Sequence, residues 1–281
     1  MRSVDGQPAE PDAPAEPDAP AEPGLRAGRV VLVTGGTRGI GAGIARGFLR
    51  SGARVLVCGR TEPAELPRAA GRTAVFTQAD IRDQGQAAGT VQHAIDLFGR
   101  LDVAVSNAGG SPYAAAATAS PRFHAKVIEL NLIAPLHFAQ AANAVMRDQG
   151  SGSIIMVGSV SGSRPSPGTA AYGAAKAGLH HLVTSLAIEW GPAVRINCVV
   201  PGFVATEAVG EQYGDPRAVA AVAATVPLRR MATPDDVAQA CLFLASPGAL
   251  YVSGTCLTVH GGGEPPAFLS AGERSTPTVS S

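Results

Sequence analysis

A glycine-rich stretch at residues 34–41, TGGTRGIG, joins the first apolar run of the chain to an amphipathic segment. The run before it, VVLVT, is β-branched and predicts a buried strand, while GIARGFLRSG after it has helical periodicity. Glycines at a strand–turn–helix junction let the backbone approach a pyrophosphate, and the amino terminus of the helix supplies amide donors and a favourable dipole. The stretch therefore predicts an α/β fold with a nucleotide phosphate at this turn.

Apolar strands alternate with helical segments along the rest of the 281-residue chain. The predicted order has seven strands, of which TCLTVHGG is the last, and helices that include 84–98 and PDDVAQACLFLA. This alternation is typical of a parallel sheet with right-handed crossovers. The predicted fold class is therefore α/β, a single doubly wound (Rossmann-type) domain with a seven-stranded parallel sheet and helices on both faces.

Prolines affect two of the predicted helices. Pro63 and Pro67 predict that the helix after the second strand is short or starts late. A long helix, predicted from about Pro121 to Arg147, contains Pro135 four residues after Asn131. Proline has no amide hydrogen, so the Asn131 carbonyl lacks its usual donor and we expect a kink. That carbonyl would then be free to bind an ordered water, or the proline would simply bend the helix around the core.

The two ends of the chain and one internal segment depart from the alternation. The predicted boundaries are 1–27 for a leader, 28–263 for the Rossmann-type domain with a substrate lid at 203–230, and 264–281 for a tail. The first 24 residues repeat PAEPDA and carry six acidic residues against one arginine, so we expect disorder there. The lid segment directly follows a strand and has two helical pieces separated by Gly214 and Pro216. In the tail, Phe268 and Leu269 are suited to packing on a neighbouring subunit.

Composition limits the partners and the compartment. The formal net charge is zero and the basic residues are scattered, which argues against nucleic acid as a partner. No apolar run reaches membrane-spanning length and no hydrophobic signal region opens the sequence, so we expect a cytoplasmic protein without a membrane partner. The four cysteines lack metal-ligand spacing and are expected to be reduced, buried thiols with no metal: Cys58, Cys198, Cys241 and Cys256.

A second chemical segment, residues 159–176, follows the apolar strand SIIMVG. It places a hydroxyl at Ser159, a phenol at Tyr172 and an ammonium at Lys176, and the last two share a helix face at i and i+4. Ser159 would lie at the carboxyl end of a strand, where open parallel sheets hold their ligands. A phenol beside a fixed cation suits a general acid for a developing alkoxide, because the cation favours the phenolate. The alternative interpretation is a surface loop followed by an ordinary helix.

Together, TGxxxGxG, Ser159, Tyr-x-x-x-Lys and Asn131 resemble the short-chain dehydrogenase/reductase family over roughly residues 28–263. The resemblance implies hydride transfer between nicotinamide C4 and a carbonyl carbon, with Tyr172 giving the proton and Ser159 orienting the carbonyl oxygen. It also implies that Lys176 holds the nicotinamide ribose and lowers the Tyr172 pKa, and that Asn131 helps position a water that resupplies the proton. The implied activity is reduction of a ketone to a secondary alcohol, or the reverse.

The end of the second strand predicts which dinucleotide binds. A ribose with free hydroxyls favours a carboxylate there, whereas a 2′-phosphate favours cations and no nearby acid. Gly59 stands where NAD-preferring members of that family place aspartate, and Arg38 and Arg60 flank it, so we expect NADP(H) in preference to NAD(H). By resemblance, the cofactor-binding residues are Gly35, Thr37, Arg38, Gly39, Ile40, Gly41, Arg60, Asp80, Ile81, Asn107, Ala108, Gly109, Tyr172, Lys176, Pro201, Gly202, Val204 and Thr206.

Within that family, TGGTRGIG, PGFVATE and the terminal GG resemble the 3-oxoacyl-acyl-carrier-protein reductase type. Two features depart from it. Gly150 and Ala193 stand near the positions where bacterial carrier-protein reductases have docking arginines, and His260 replaces the usual acid before the final glycines. A ketoreductase of specialised or catabolic metabolism is therefore at least as consistent with the sequence as fatty-acid synthesis.

Other functions and the assembly also follow from these patterns. A non-catalytic NADP(H)-binding sensor would usually show a damaged Tyr-x-x-x-Lys motif, which is intact here. A serine hydrolase would need GxSxG around Ser159, which is absent. The resemblance implies a homotetramer, paired through the helices that bear Asn131 and Tyr172 and again through the last helix and strand.

Overall fold

The computed structural model describes residues 28–266, which form a parallel sheet with helices on both faces. Its strands are β1 (Val30–Thr34), β2 (Arg54–Gly59), β3 (Arg68–Ala69), β4 (Arg72–Thr73), β5 (Val75–Gln78), β6 (Val103–Ser106), β7 (Gly152–Val157), β8 (Val194–Pro201) and β9 (Cys256–Val259). Seven of them form one sheet in the order β5-β2-β1-β6-β7-β8-β9, with every neighbouring pair parallel. The predicted fold class is confirmed. The predictions for the leader and for Phe268 and Leu269 fall outside the described residues.

Eight α-helices connect these strands within residues 28–266. They are α1 (Gly39–Arg50), α2 (Gln84–Phe98), α3 (Pro121–Ile128), α4 (Ala134–Asp148), α5 (Ala170–Trp190), α6 (Val209–Tyr213), α7 (Pro216–Thr225) and α8 (Pro234–Ala245). The sheet order reverses between β1 and β6, and ligands of such folds bind at the carboxyl ends of the strands beside this reversal. The glycine turn and the loop after β6 therefore share one crevice.

Alternate residues of each strand point to opposite faces, so the sheet divides the apolar core in two. On one face, Leu32 packs in a cluster with Phe138 of α4 and Leu179 of α5. On the other, Val33 packs with Phe48 of α1 and Cys241 of α8. All five residues of β1 are buried, as expected for a central strand covered on both sides.

The predicted short helix after β2 is wrong. Residues 68–73 instead form a small antiparallel hairpin, β3–β4, outside the main sheet. Pro63 and Pro67 remove amide donors four residues apart, and the backbone turns back at Ala70 and Gly71, which have φ of 49° and 71°. The local geometry thus favours a turn over a helix.

The long helix from Pro121 is also different from the expectation of one helix kinked at Pro135. Between α3 and α4, the segment Glu129–Ile133 is a π-helix, in which the Ala134 amide donates to the Glu129 carbonyl five residues back. Pro135 lies in the first turn of α4, where its missing amide costs no α-helical hydrogen bond of that helix. The wide turn places Asn131 inside the π-helix, and such turns are frequent at functional sites.

The cysteines differ from expectation at one position. Cys58, Cys198 and Cys241 are buried, whereas Cys256 is exposed. The reason is topological, because Cys256 begins β9 and β9 is the edge strand of the sheet. Within the described residues, no group of three or more potential metal ligands occurs, and no helix is long and apolar enough to cross a membrane.

Candidate active site

The glycine turn after β1 is closed by contacts that only glycines permit. A Cβ atom on Gly41 would lie 2.1 Å from the Gly35 carbonyl oxygen and 2.5 Å from Asn107 Nδ2. Gly35 and Gly39 have φ of 60° and 53°, in the left-handed region that side chains disfavour. The chain is therefore folded tightly into the amino terminus of α1, which leaves a cradle of backbone amides at the crevice.

Asn107 fastens this turn to the neighbouring strand. Its Nδ2 donates to the carbonyl oxygens of Thr34 and Gly35 at 3.0 and 3.1 Å. In return, the Thr34 hydroxyl accepts from the amides of Asn107 and Ala108 at 3.0 and 3.1 Å. Two strand ends on either side of the crevice are thereby held in fixed register. Thr34 was not among the predicted site residues. Its position as the last residue of β1, at the edge of the sheet that holds the crevice, could have identified it.

The end of the crevice beside Gly59 carries cations and an apolar floor. Arg38 and Arg60 are exposed, and neither guanidinium makes a hydrogen bond or ion pair with any described residue. A Cβ atom on Gly59 would meet the Thr37 side chain at 3.5 Å, an ordinary contact. Ile81 is buried with Cys58, and Ala108 packs against them. The chain therefore presents unpaired positive charge where the sequence predicts a 2′-phosphate.

Asp80, a predicted cofactor-binding residue, is partly exposed and lies beside Arg82. Its carboxylate accepts two hydrogen bonds from Arg82 Nε, at 2.9 and 3.1 Å, and a further one from Arg82 Nη2. These bonds to Arg82 lower the Asp80 pKa, and the charge of Arg60 adds to the effect. The Asp80 carboxylate therefore already has a partner in Arg82, and its contact with the cofactor stays a prediction.

Ser159, Tyr172 and Lys176 are brought together at the carboxyl end of β7. Lys176 is buried, and its Nζ donates to the Val157 carbonyl at 2.8 Å and lies 5.6 Å from the centre of the Tyr172 ring. Gly109 approaches the same ammonium, because a Cβ atom there would lie 3.4 Å from Lys176 Nζ and 2.7 Å from Asn131 Oδ1. All four predicted catalytic residues thus surround one point of the crevice.

The electrostatics of Tyr172 run opposite to the predicted direction. Burial raises the Tyr172 pKa, and a hydrogen bond with the Ser159 side chain only partly offsets this effect. Burial also lowers the Lys176 pKa to about 8. Lys176 donates a hydrogen bond to the Val157 carbonyl, and the Ser159 hydroxyl is the hydrogen-bonding group that opposes the rise in the Tyr172 pKa.

Asn131 acts as a clamp on the loop after β6. Its side chain is fully buried, Oδ1 accepts from the Gly110 amide at 2.8 Å, and Nδ2 donates to the Gly110 and Val127 carbonyls, each at 2.9 Å. The amide group therefore uses one acceptor and both donors. This clamp was not anticipated, because Gly110 lies 21 residues away and nothing in the sequence pairs the two.

His180 is a second residue that the sequence analysis missed. Its Nε2 accepts from the Ser159 amide at 3.5 Å, and burial followed by the charge of Lys176 lowers its pKa. The ring also fills the space beside Gly158, where a Cβ atom would lie 2.5 Å from His180 Nε2. His180 follows Lys176 by four residues, so the spacing alone places both side chains on the same helix face and could have identified His180 as a site residue.

The last predicted cofactor-binding segment begins at the end of β8. The Gly202 amide donates to the Val259 carbonyl at 2.9 Å, and a Cβ atom on Gly202 would lie 2.8 Å from His260 Cβ. Val204 is buried and pairs with Ala232. Thr206 reaches the glycine turn, with its Cγ2 3.6 Å from the Cβ position of Gly39. Pro201, Gly202, Val204 and Thr206 therefore continue the rim of the crevice from the sheet to α1.

Aromatic and charged groups from the lid segment and the carboxyl-terminal part of the described chain complete the rim. The Phe203 ring contacts the Tyr213 ring edge-on at 5.7 Å, and the Arg164 guanidinium lies 5.6 Å from the Phe203 ring centre. Arg164 Nη2 also bonds Glu264 Oε1 at 2.7 Å. Burial raises the pKa of Tyr213, and the nearby Tyr172 phenol adds to this rise. These four groups therefore connect α6 with the loop that precedes Tyr172.

The tight glycine turn, and a Ser–Tyr–Lys group built around the buried Lys176, are the arrangement expected of an oxidoreductase. The family model described as Enoyl-(Acyl carrier protein) reductase matches residues 35–264. The chain belongs to the short-chain dehydrogenase/reductase family.

Similar proteins span several activities. The granaticin polyketide synthase putative ketoacyl reductase 2 of Streptomyces violaceoruber is 37% identical over 83% of this chain and 95% of its own length. L-rhamnose 1-dehydrogenase (NAD(P)(+)) of Azotobacter vinelandii is also 37% identical, over 83% of this chain and 96% of its own. A solved structure titled short chain dehydrogenase/reductase family protein has 38% identity and a TM-score of 0.75, covering 84% of this chain and 97% of that one.

Proposed function

We propose that this protein reduces a ketone or 3-oxo group to a secondary alcohol, or catalyses the reverse, with NADP(H) as the cofactor. The observation that carries the proposal is the convergence of Ser159, Tyr172 and Lys176 beside a glycine turn that Asn107 holds in register. When bound, the cofactor supplies or accepts a hydride at nicotinamide C4. The protein must supply the proton, the orientation of the carbonyl and a site shielded from water.

Tyr172 is the proposed proton donor to the carbonyl oxygen. Its raised pKa keeps the phenol protonated near neutrality, which suits a general acid in the direction of reduction. The Ser159 hydroxyl is the second group aimed at that oxygen and stabilises charge as it develops there. Lys176, fixed by the Val157 carbonyl, places a positive charge beneath the phenol and stabilises the phenolate that remains after proton transfer.

The chain's own groups fit an NADP(H) molecule. The closed turn at Gly35 and Gly41 exposes the amino terminus of α1 to a pyrophosphate, and Arg38 and Arg60 are free to bind a 2′-phosphate. No acid occupies position 59 to repel that phosphate. The relative from A. vinelandii is named for use of both NAD and NADP, so the preference proposed here depends on these residues and not on relatedness.

The proposed substrate class is a ketone or 3-oxo compound. A ketoacyl reductase among the similar proteins supports this choice, and it also favours the second candidate, a 3-oxoacyl-carrier-protein reductase of fatty-acid synthesis. Neutral residues at Gly150 and Ala193 argue against docking of an acidic carrier protein. We therefore favour a small-molecule ketoreductase of specialised or catabolic metabolism.

A panel of ketones and secondary alcohols, followed at the nicotinamide absorbance band, tests the activity. Wild type should turn over at least one class with NADPH, and Tyr172→Phe should lose about 10²–10⁴-fold in kcat, as expected for removal of a general acid. Binding of NADPH to Tyr172→Phe, measured by fluorescence, controls for folding. Turnover that survives in Tyr172→Phe would refute the assigned role, and NADPH binding without any turnover would favour the sensor.

The cofactor preference has its own test. Removing one charge-assisted contact typically costs about 1.5–3 kcal/mol, so Arg60→Ala should raise the NADPH KM tenfold or more and leave NADH kinetics nearly unchanged. Arg72→Ala is the matched control, because Arg72 is exposed on the nearby hairpin. Gly59→Asp should shift the preference toward NADH, since an ordinary contact with Thr37 leaves room for the new side chain. Equal use of NADH and NADPH by wild type would contradict the NADP(H) proposal.

A further inference from the structure

Helix α1 has no cap of its own at the end that faces the crevice. Its N-cap residue, Arg38, makes no side-chain capping hydrogen bond, and its first turn contains no acidic residue. The first amides of a helix need acceptors from elsewhere, and they carry the positive end of the helix dipole. An anion at this position therefore stabilises the helix, whatever its source.

Glu207 supplies that anion from a distant part of the chain. Its Oε2 accepts a hydrogen bond from the Gly39 amide at 3.1 Å, across 168 residues of sequence. The preceding residue, Thr206, packs on the same glycine with its Cγ2 3.6 Å from the Cβ position. Two consecutive residues at the base of the lid segment thus seat against the glycine turn.

We propose that Glu207 caps α1 and competes there with the pyrophosphate of the dinucleotide. The inference rests on the proposed function, since it concerns the same cofactor site. A pyrophosphate at the helix amino terminus brings negative charge beside a carboxylate that already holds one of the first-turn amides. Cofactor binding then either displaces Glu207, which changes the contact at the base of the lid segment, or is weakened by the carboxylate that stays in place.

The competition has a consequence for turnover. Glu207 stabilises the free state of the glycine turn, so it lowers the affinity for both the oxidised and the reduced dinucleotide. Release of cofactor or product limits the rate of many enzymes, and a resident carboxylate that retakes its amide would assist that release. Glu207 is in this sense a residue that sets cofactor affinity, without contact with the reacting atoms.

The test compares Glu207→Gln with Glu211→Gln. Glu211 lies in α6 of the same lid segment, is exposed and has no hydrogen bond or ion pair among the described residues, so its variant removes the same charge without the contact. Dissociation constants for NADPH come from fluorescence titration of the purified full-length chain. We expect Glu207→Gln to lower the NADPH Kd about three- to tenfold, and Glu211→Gln to stay within about twofold, because charge effects at helix ends fall off within one turn.

Two further measurements separate competition from other causes. The probe 2′-AMP has the adenosine phosphate but no pyrophosphate, so its Kd should be the same in wild type and Glu207→Gln. Without ligand, Glu207→Gln should melt about 1–3 °C below wild type, because the helix keeps a hydrogen bond but loses its charged cap. Competition for the Gly39 amide therefore predicts that Glu207→Gln binds NADPH more tightly than wild type but is less stable without ligand.

Several results would overturn the inference. An unchanged or weaker affinity of Glu207→Gln for NADPH, an equal gain in Glu211→Gln, or an equal gain for 2′-AMP would each contradict competition at the Gly39 amide. If neither NADPH nor NADH bound any variant, the proposed function would be wrong. The melting comparison of the free proteins would then still decide whether Glu207 caps α1.

Discussion

Replacing Asn131 by aspartate tests the clamp on the loop after β6 with almost no change in shape. The Oδ1 atom that accepts from Gly110 is retained, but the Nδ2 atom becomes an oxygen. That oxygen would face the Gly110 and Val127 carbonyl oxygens, each 2.9 Å from the present nitrogen. Three oxygens in contact without a hydrogen repel one another, so the folded protein must protonate the new carboxyl group or move the loop.

The size of the effect follows from the pH at which the carboxyl group must take up its proton. An aspartate in an unfolded chain has a pKa of about 3.9, so protonating it at pH 7 costs about 4 kcal/mol at 1.4 kcal/mol per unit. The protonated group can donate to only one of the two carbonyls, which loses one hydrogen bond worth about 1 kcal/mol. The expected loss in the free energy of unfolding is therefore about 1 kcal/mol near pH 4 and up to about 5 kcal/mol at pH 7.

The direction with pH is fixed by linkage. Folding raises the pKa of the new carboxyl group. Below the unfolded-state pKa the group is protonated in both states, so the variant is at its most stable relative to wild type. Its stability is lost as the pH rises from the unfolded-state pKa to the folded-state pKa. The deficit of Asn131→Asp should thus grow between pH 4 and pH 7. Above the folded pKa, the deficit should stay constant.

Urea unfolding, followed by circular dichroism at pH 5, 6, 7 and 8 and at one protein concentration, measures the deficit against wild type. Gln140→Glu is the matched control, because it makes the same amide-to-acid change on an exposed face of α4 and should stay within about 0.5 kcal/mol at every pH. A loss below 1 kcal/mol at pH 7, or a loss that does not grow with pH, would refute the assigned hydrogen bonds of Asn131.

Three further outcomes are expected. For reduction, kcat/KM should be level from pH 6 to about 8 and fall above it, because Lys176, with a pKa of about 8, loses its charge there; a maximum above pH 9 would contradict this assignment. A carrier-protein-linked ketone should gain little in kcat/KM over its small thioester, since Gly150 and Ala193 are neutral; a gain beyond roughly a hundredfold, about 2.7 kcal/mol, would restore the fatty-acid candidate. Light scattering should show a homotetramer, because exposed Ile133, Ile188 and Phe243 lie on or beside the helices predicted to pair, and a monomer at micromolar concentration would contradict it.

The helices and strands of the fold were predictable because they depend on patterns among residues close together in the sequence. The helices over 84–98 and 234–245 have the predicted bounds, since each has a strong start signal: an Asp83 cap for the first and a Thr233–Asp236 capping box for the second. The buried strands could be identified from continuous β-branched runs. Strand–turn–helix order then led to the parallel sheet and to its crevice.

The details of the site depend on contacts that span long stretches of sequence. No pattern connects Gly39 with Glu207 or Asn131 with Gly110, because these contacts exist only after the sheet has brought the loops together. The direction of the Tyr172 pKa was mistaken for a related reason. Spacing predicted a cation beside the phenol, but burial, which depends on the whole fold, is the larger effect.

Pro135 connects the π-helix to the chemistry. Four residues before it, Asn131 uses its side chain on Gly110, while its carbonyl has no amide donor at i+4 because that residue is proline. A carbonyl without that donor can hold an ordered water for a proton relay through Lys176 to Tyr172. The competing explanation is that Pro135, which is buried, only favours the wide turn that brings Asn131 into place.

Pro135→Ala distinguishes the two explanations, because it restores the missing donor with a small loss of buried surface. If the proline is only structural, kcat should be retained and stability should change by less than about 1 kcal/mol. If the carbonyl serves the relay, kcat should fall and its pH profile should shift, while NADPH affinity stays unchanged. Leu136→Ala, at the next position of α4, controls for the loss of side-chain volume without altering any amide. Full kcat in Pro135→Ala at every pH would exclude a relay that depends on this proline, and the π-helix would then serve only to position Asn131.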